Sequence, residues 1–349
     1  MLIYWALFAY FALGASIDAR RDPDLHRQRP YWIVGGLLIL LMIGLRYKVG
    51  ADWITYEFIF RRASNLTLSK AVSIGDPGYQ ALNWLAAQLG AEVWLVNLIC
   101  AAIFTFGLFR LARLQPYPWL AVLVAIPYMV IVLAQGYTRQ AAALGLIMAG
   151  LSALIRGGSL ARFAIYAILA ATIHRTAVAA LPLAIFSRPR NRFFNIVGGI
   201  ALAAAMYDVF LKDSMDAFVD NYIKTKYSSQ GASIRIAIEV LAASIFLLRR
   251  KKFGFPEHED KLWFYFSLAS FGALVALVLV PSSTAVDRLS IYLMPLQMVI
   301  LSRVPFVYTT RALGVILVTA YSFTVQFVWL NFAAHAKYWV PYRLYPWLS

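Results

Sequence analysis

Cysteine is almost missing from this chain: its 349 residues include one, Cys100, set inside an apolar run. A single thiol rules out an internal disulfide and a thiolate metal cluster within one chain. Histidine is nearly as scarce, with four scattered residues, His26, His174, His258 and His335, which argues against a histidine-rich metal site. No HExxH pair and no Walker lysine loop occurs, so neither zinc-hydrolase nor P-loop chemistry has support. No metal and no cofactor is therefore expected. Acidic residues are outnumbered, 16 against 32 Lys and Arg. No polar stretch is long enough for a separate soluble domain, and residues 1–349 read as a single membrane domain. Lys and Arg are also missing ahead of the first apolar run, Leu2 to Ile17. A cleaved signal peptide wants a positive start, so this run reads as a retained helix with its N-terminus outside.

What the chain has in excess is apolar sequence. It is 62% hydrophobic with mean hydropathy +0.69, where a soluble domain has roughly 45–50% apolar residues. Apolar runs near 2–17, 31–45, 92–114, 118–135, 138–155, 160–174, 176–188, 193–211, 234–249, 262–280, 286–302 and 312–330 predict an all-α, polytopic membrane protein. The expected count is about twelve spans, some short or broken. The net charge of +16 comes from residues scattered among short loops, the habit of cytoplasmic loops rather than of a nucleic-acid face. With the N-terminus outside, alternate loops hold Arg20/Arg21/Arg27/Arg29, Arg110/Arg113, Arg156/Arg162, Arg188/Arg190/Arg192, Arg249 to Lys252, and Arg303/Arg311. Every inside loop is then basic, and both termini lie outside. The outside segments are 46–91, with an interface-like stretch from Tyr79 to Leu89, then 212–235, which reads as a flap, and the aromatic tail 331–349.

The sharpest anomaly is Ile173-His174-Arg175-Thr176, in the middle of the apolar stretch 163–187. A charge near the bilayer centre costs about 2.5–3.5 kcal/mol on insertion scales. The loop charges favour a hairpin turning at His174-Arg175, because a single span would put Arg249 to Lys252 outside. Each arm has about 11–13 apolar residues, roughly 17–20 Å at 1.5 Å per residue, against a hydrocarbon core of about 30 Å. The turn is thus expected below the outer surface, where backbone must be covered by protein or line a wet cavity.

The remaining unusual polar residues fall on that outer side: Arg46 and Asp52, Arg139-Gln140, and Asp287-Arg288. Together with His174 and Arg175 they predict an outward-facing cavity rich in arginine. Guanidinium groups match phosphate oxygens, and Arg139 opens a helix, whose N-terminus also favours an anion. A diphosphate is the expected ligand, a carboxylated sugar the alternative. Plainer roles compete: an arginine at a helix end is usually an interfacial anchor, Asp287-Arg288 could be a local ion pair, and His174 a structural histidine.

The pattern Arg46-x-x-x-Gly50-x-Asp52-x-x-x-Tyr56 is followed by Asp76-Pro77-Gly78-Tyr79-x-x-Leu82-Asn83 and Gly136-x-x-Arg139-Gln140. Then come His174-Arg175-Thr176-Ala177, Asp287-Arg288 with Tyr292, and a tail with Tyr342 and Tyr345-Pro346. In order and spacing, over nearly the whole chain, this resembles the EpsG-type, Wzy-like family of bacterial polysaccharide polymerases. Two departures stand out: the family often has Glu where Asp76 stands and a small hydroxyl residue where Arg175 stands. The resemblance implies joining of undecaprenyl-diphosphate-linked oligosaccharide units at the periplasmic face of the inner membrane, without nucleotide or metal. It also implies, as pathway partners, a flippase and a chain-length regulator. In that setting Arg139, Arg288, Arg46 and Arg175 are expected to face the diphosphate, with Gln140, Asp287 and Tyr292 beside the substrate. His174 and Asp52 are rival bases. An O-antigen-ligase-like transferase, a membrane O-acyltransferase and a lipid-linked oligosaccharide flippase remain open alternatives.

Overall fold

Helix Pro118–Gly136 is apolar on every side, and a helix without a polar face belongs in the interior of a stack. The computed structural model describes residues 1–18, 29–157, 159–182, 231–280, 282–308 and 310–346. In it this helix is buried throughout from Trp119 to Gly136. Helices Leu2–Asp18, Pro295–Leu301 and Arg311–Phe332 pack directly on it. Beside them Val93–Ala112 packs on Thr138–Gly157, which in turn packs on Leu160–Ile173. Ala232–Leu248 lies against Glu257–Leu279 and Pro295–Leu301. Two helices meet closely at Gly107, where a Cβ would lie 1.8 Å from the Gly145 carbonyl oxygen. Only glycine lets two backbones meet there, as small residues do at membrane helix crossings.

Among the described residues all regular structure is helical, apart from one isolated antiparallel bridge between Arg46 and Leu344. Five helices are long and apolar enough to cross a membrane: Val93–Ala112, Pro118–Gly136, Thr138–Gly157, Glu257–Leu279 and Arg311–Phe332. A bent pair, Ser283–Leu293 with Pro295–Val307, makes six. Leu2–Asp18, Pro30–Gly44 and Leu160–Ile173 are apolar but shorter. Of the spans expected from sequence, 193–211 lies outside the described residues, as do positions 183–188 of the span 176–188, most of the 212–235 flap, and the Arg20/Arg21/Arg27 and Arg188/Arg190/Arg192 loops.

The helices break where the chemistry of the chain demands it. Pro127 has no N–H to give, and Ile126–Leu133 winds as wide π-type turns, a device often found beside functional sites. The expected single helix over 286–302 is corrected to two pieces bent by 45°, because Pro295 interrupts the hydrogen-bond ladder. Leu160–Ile173 ends where the anomaly predicted: His174 is extended (φ −154°, ψ 116°) and Arg175–Ala180 form a tight 3₁₀ turn. The expected interface-like stretch falls in helix Pro77–Gln88, which buries Tyr79 and Asn83 and packs on Trp53–Ser64 and Leu160–Ile173.

The bundle has two unlike ends. Those expected inside loops that are described converge on one of them. Arg303 there donates to Gln115 (3.3 Å) and approaches Glu259 (3.8 Å), and His258 meets the Ile155 carbonyl at 3.3 Å. The other end is built from residues 45–91, the break at Tyr137, the turn at His174, helix Ser283–Ser290 and the tail.

Candidate functional site

A turn over residues 47–52 sets the floor of this second end. Gly50 has φ +100°, and a Cβ on it would lie 2.2 Å from the Gln135 carbonyl oxygen. Its N–H donates to the Tyr338 carbonyl at 2.8 Å. On either side, Tyr47 N–H donates to Arg343 and Tyr345 N–H to Leu45 (2.8 and 2.9 Å). The tail therefore packs into the site, and its Trp339 is buried with the indole N–H on the Ile131 carbonyl at 2.8 Å. Asp52 follows at the start of helix Trp53–Ser64, and its carboxylate makes no capping bond.

Asp52 opens on a cavity of about 280 Å³. Gln140, Arg235, Asp287 and Arg288 line it, with Tyr128, Tyr137, Trp329 and Trp339 as aromatic wall and His335 at the margin. The π-type turns carry Tyr128 and Val132 to this wall. Arg235 is almost fully buried, forms a short ion pair with Asp287, and lies 5.7 Å above both the Tyr128 and the Tyr137 ring. Cations over aromatic faces in a cavity with carboxylates suit an anionic, hydroxylated ligand. Burial raises the Asp52 carboxyl above the ordinary carboxylate range, although the charges of Arg288 and Arg139 pull the other way. A raised carboxyl is closer to the pKa that a general base needs near neutrality.

Behind the cavity lies a second cluster, centred on Asp76. Arg139 donates to its Oδ2 at 2.8 Å, His174 Nδ1 approaches the same oxygen at 3.4 Å, and the Arg175 backbone N–H reaches Oδ1 at 3.3 Å. The Arg175 guanidinium also approaches Oδ1, at 3.4 Å, and donates to the Gly75 carbonyl at 2.8 Å. Burial alone would raise the Asp76 carboxyl; the hydrogen bond from His174 and the charges of Arg139 and Arg175 help to outweigh it and hold it below the ordinary value. His174 Nε2 lies 3.1 Å from Gln140 Nε2. With Nδ1–H directed at Asp76, Nε2 accepts from the Gln140 amide. The histidine thus sits between a carboxylate and an amide, and Gln140 links the cluster to the cavity.

The residues singled out by sequence divide into three groups. Asp52, Gln140, Asp287 and Arg288 line the cavity. His174, Arg139 and Arg175 surround Asp76 next to it. Arg46 and Tyr292, expected to face the ligand, are instead buried and do not line the cavity. The Arg46 guanidinium donates to the Ile43 carbonyl (2.6 Å), the Val49 carbonyl (3.2 Å) and Thr138 Oγ1 (2.6 Å), because a buried guanidinium must be satisfied internally. The Tyr292 hydroxyl bonds Thr176 at 3.2 Å. Asp287 and Arg288 also do not open a long helix; they sit inside the short Ser283–Ser290, and Asp287 pairs with Arg235.

Sequence reasoning gave no role to Asp76, Arg235 or His335. Arg235 and Glu239 carried a usable signal, since charges four residues apart inside an apolar helix are the same kind of anomaly as His174. Among the described residues no group of three or more His, Cys, Asp or Glu side chains could hold a metal ion.

The family model described as "EpsG family" matches residues 30–344. No curated protein and no solved structure matches the chain.

Proposed function

Because the chain belongs to the EpsG family, we propose that it is a metal-independent polysaccharide polymerase. It joins oligosaccharide repeat units carried on a lipid diphosphate, undecaprenyl diphosphate in a bacterial inner membrane. The site faces the periplasm in this reading. Its support is the gathering of the basic loops at the opposite end of the bundle, the end expected to be cytoplasmic.

The observation that carries the reading is the joining of Arg288, Arg235 and Asp52 in one cavity with aromatic walls. The acceptor hydroxyl oxygen attacks the anomeric carbon of the donor sugar, a C–O bond forms, and the bond from that carbon to the phosphate oxygen breaks. The diphosphate leaves on its lipid, and Arg288 stabilises its growing charge in a poorly solvated site. Asp52 takes the acceptor proton. Between the two rival bases, the geometry favours Asp52: it opens on the cavity, whereas both ring nitrogens of His174 already face Asp76 and Gln140. His174 acts through Gln140 as a positioning residue, with Asp76 holding its ring as a carboxylate holds a catalytic imidazole elsewhere. Arg139 and Arg175 keep Asp76 ionised. The tail and aromatic wall supply flat surfaces for sugar rings.

The test is incubation of purified protein with a lipid-diphosphate-linked oligosaccharide and mass analysis of the products, with and without a chelator. A ladder rising by whole repeat units, with free lipid diphosphate and no chelator effect, is expected. Acylated but unextended product, or translocation without bond formation, would overturn the reading.

A further inference from the structure

A second cavity of about 280 Å³ adjoins the polar one, and its lining is almost entirely apolar. It runs between helices Ala232–Leu248 and Arg311–Phe332, which make at most glancing contact with each other. Ile234 and Ile238 form one side, and Tyr321, Val325, Val328 and Phe332 the other. Tyr128 and Trp329 line both cavities, so the apolar groove meets the arginine-lined chamber across two aromatic rings. Its outer rim is open to the side: Ile234, Val328 and Phe332 are all exposed. In a membrane protein that rim faces hydrocarbon.

We propose that this groove receives the prenyl tail of the lipid-linked donor, which slides in from the bilayer between these two helices while its diphosphate enters the chamber beside Arg235 and Arg288. The inference rests on the polymerase reading and places the substrate within it. The occupant is argued from continuity and polarity: an arginine-lined chamber and an apolar, laterally open channel share a wall, and a polyprenyl diphosphate has those two halves in that order. Moving a tail from lipid to an apolar groove gains little hydrophobic free energy. The groove therefore acts by guiding the headgroup into register rather than by adding affinity, and a misplaced reactant costs rate steeply.

Two groove-filling variants, Ile238→Trp and Val325→Trp, test this with two donors bearing the same oligosaccharide, one on a full-length polyprenyl diphosphate and one on a short isoprenyl diphosphate. Each variant should lower kcat/KM for the long-tailed donor by about ten- to a hundredfold and leave the short-tailed donor at the rate of the unsubstituted protein, which also shows that the variant is folded. Equal losses with both donors, or none with either, would overturn the groove. A photoreactive polyprenyl diphosphate without sugar supplies a readout independent of catalysis. It should label the peptides of Ala232–Leu248 and Arg311–Phe332, and unlabelled polyprenyl diphosphate should compete while bulk phospholipid should not. Labelling elsewhere, or competition by phospholipid alone, would also overturn the groove. If the unsubstituted protein extends neither donor yet labels in the groove, the polymerase reading fails and the groove stands.

Discussion

The two ends of this bundle use arginine in opposite ways. At the end that gathers the basic loops, Arg250 pairs with Asp260 while the two side chains remain 31% and 26% exposed. Arg249 lies over the Tyr308 ring. Such pairs gain little in water, and their sum matters more for orienting the chain in the membrane than for holding it together. At the cavity end Arg46 and Arg235 are buried, and Arg139 is pinned by Asp76. Each is matched by a carboxylate, carbonyl or hydroxyl from a distant part of the chain, because an unmatched charge at that depth is costly. The same side chain is partly exposed and locally paired at one end and buried among distant partners at the other.

Breaking that contrast should give graded effects. The largest is expected for Arg46→Ala, which removes every hydrogen bond that ties residues 43–49 to Thr138 through this guanidinium. A loss of at least about 3 kcal/mol follows from the abandoned acceptors, seen as a lower Tm in detergent and loss of activity with it. Asp52→Asn should leave Tm unchanged and lower turnover by about 10²–10⁴-fold. Burial raises the Asp52 carboxyl, so the acid limb of kcat/KM in the unsubstituted protein should fall above the ordinary carboxylate value of about 3.9 and be absent from the variant. Arg288→Ala, also with Tm unchanged, should cost about 10²–10³-fold in turnover. Arg250→Ala, at the other end, should change stability by less than about 1 kcal/mol and leave polymer synthesis intact.

How far the sequence could foresee this depends on what each feature needs to be read. Span-forming helices need only apolar runs, and those from Val93 to Gly157 appear within a few residues of their expected limits. The break at His174 was legible because a charged pair in an apolar stretch has no bland explanation there. The bend before Pro295 carried a signal that hydropathy averaging hides. Arg46 misled, because its solvation is decided by Thr138, 92 residues away, and by a tail that bridges back to residue 46. Asp76 precedes Pro77, a combination common at helix starts; its surroundings emerge only when Arg139 arrives from helix Thr138–Gly157 and His174 and Arg175 from the break after Ile173. Arg235 hid at the margin of a polar segment, and its pairing with Asp287 at the cavity shows only in the folded chain.

In the proposed function, transfer occurs at the cavity end and the opposite end only orients the chain. The most direct measurement is the mass ladder formed from a lipid-diphosphate-linked repeat unit by unsubstituted protein, Arg288→Ala and Arg250→Ala, each at equal folded concentration. The ladder should vanish or shorten sharply for Arg288→Ala and match that of the unsubstituted protein for Arg250→Ala. A full ladder from Arg288→Ala together with a lost one from Arg250→Ala would contradict the account.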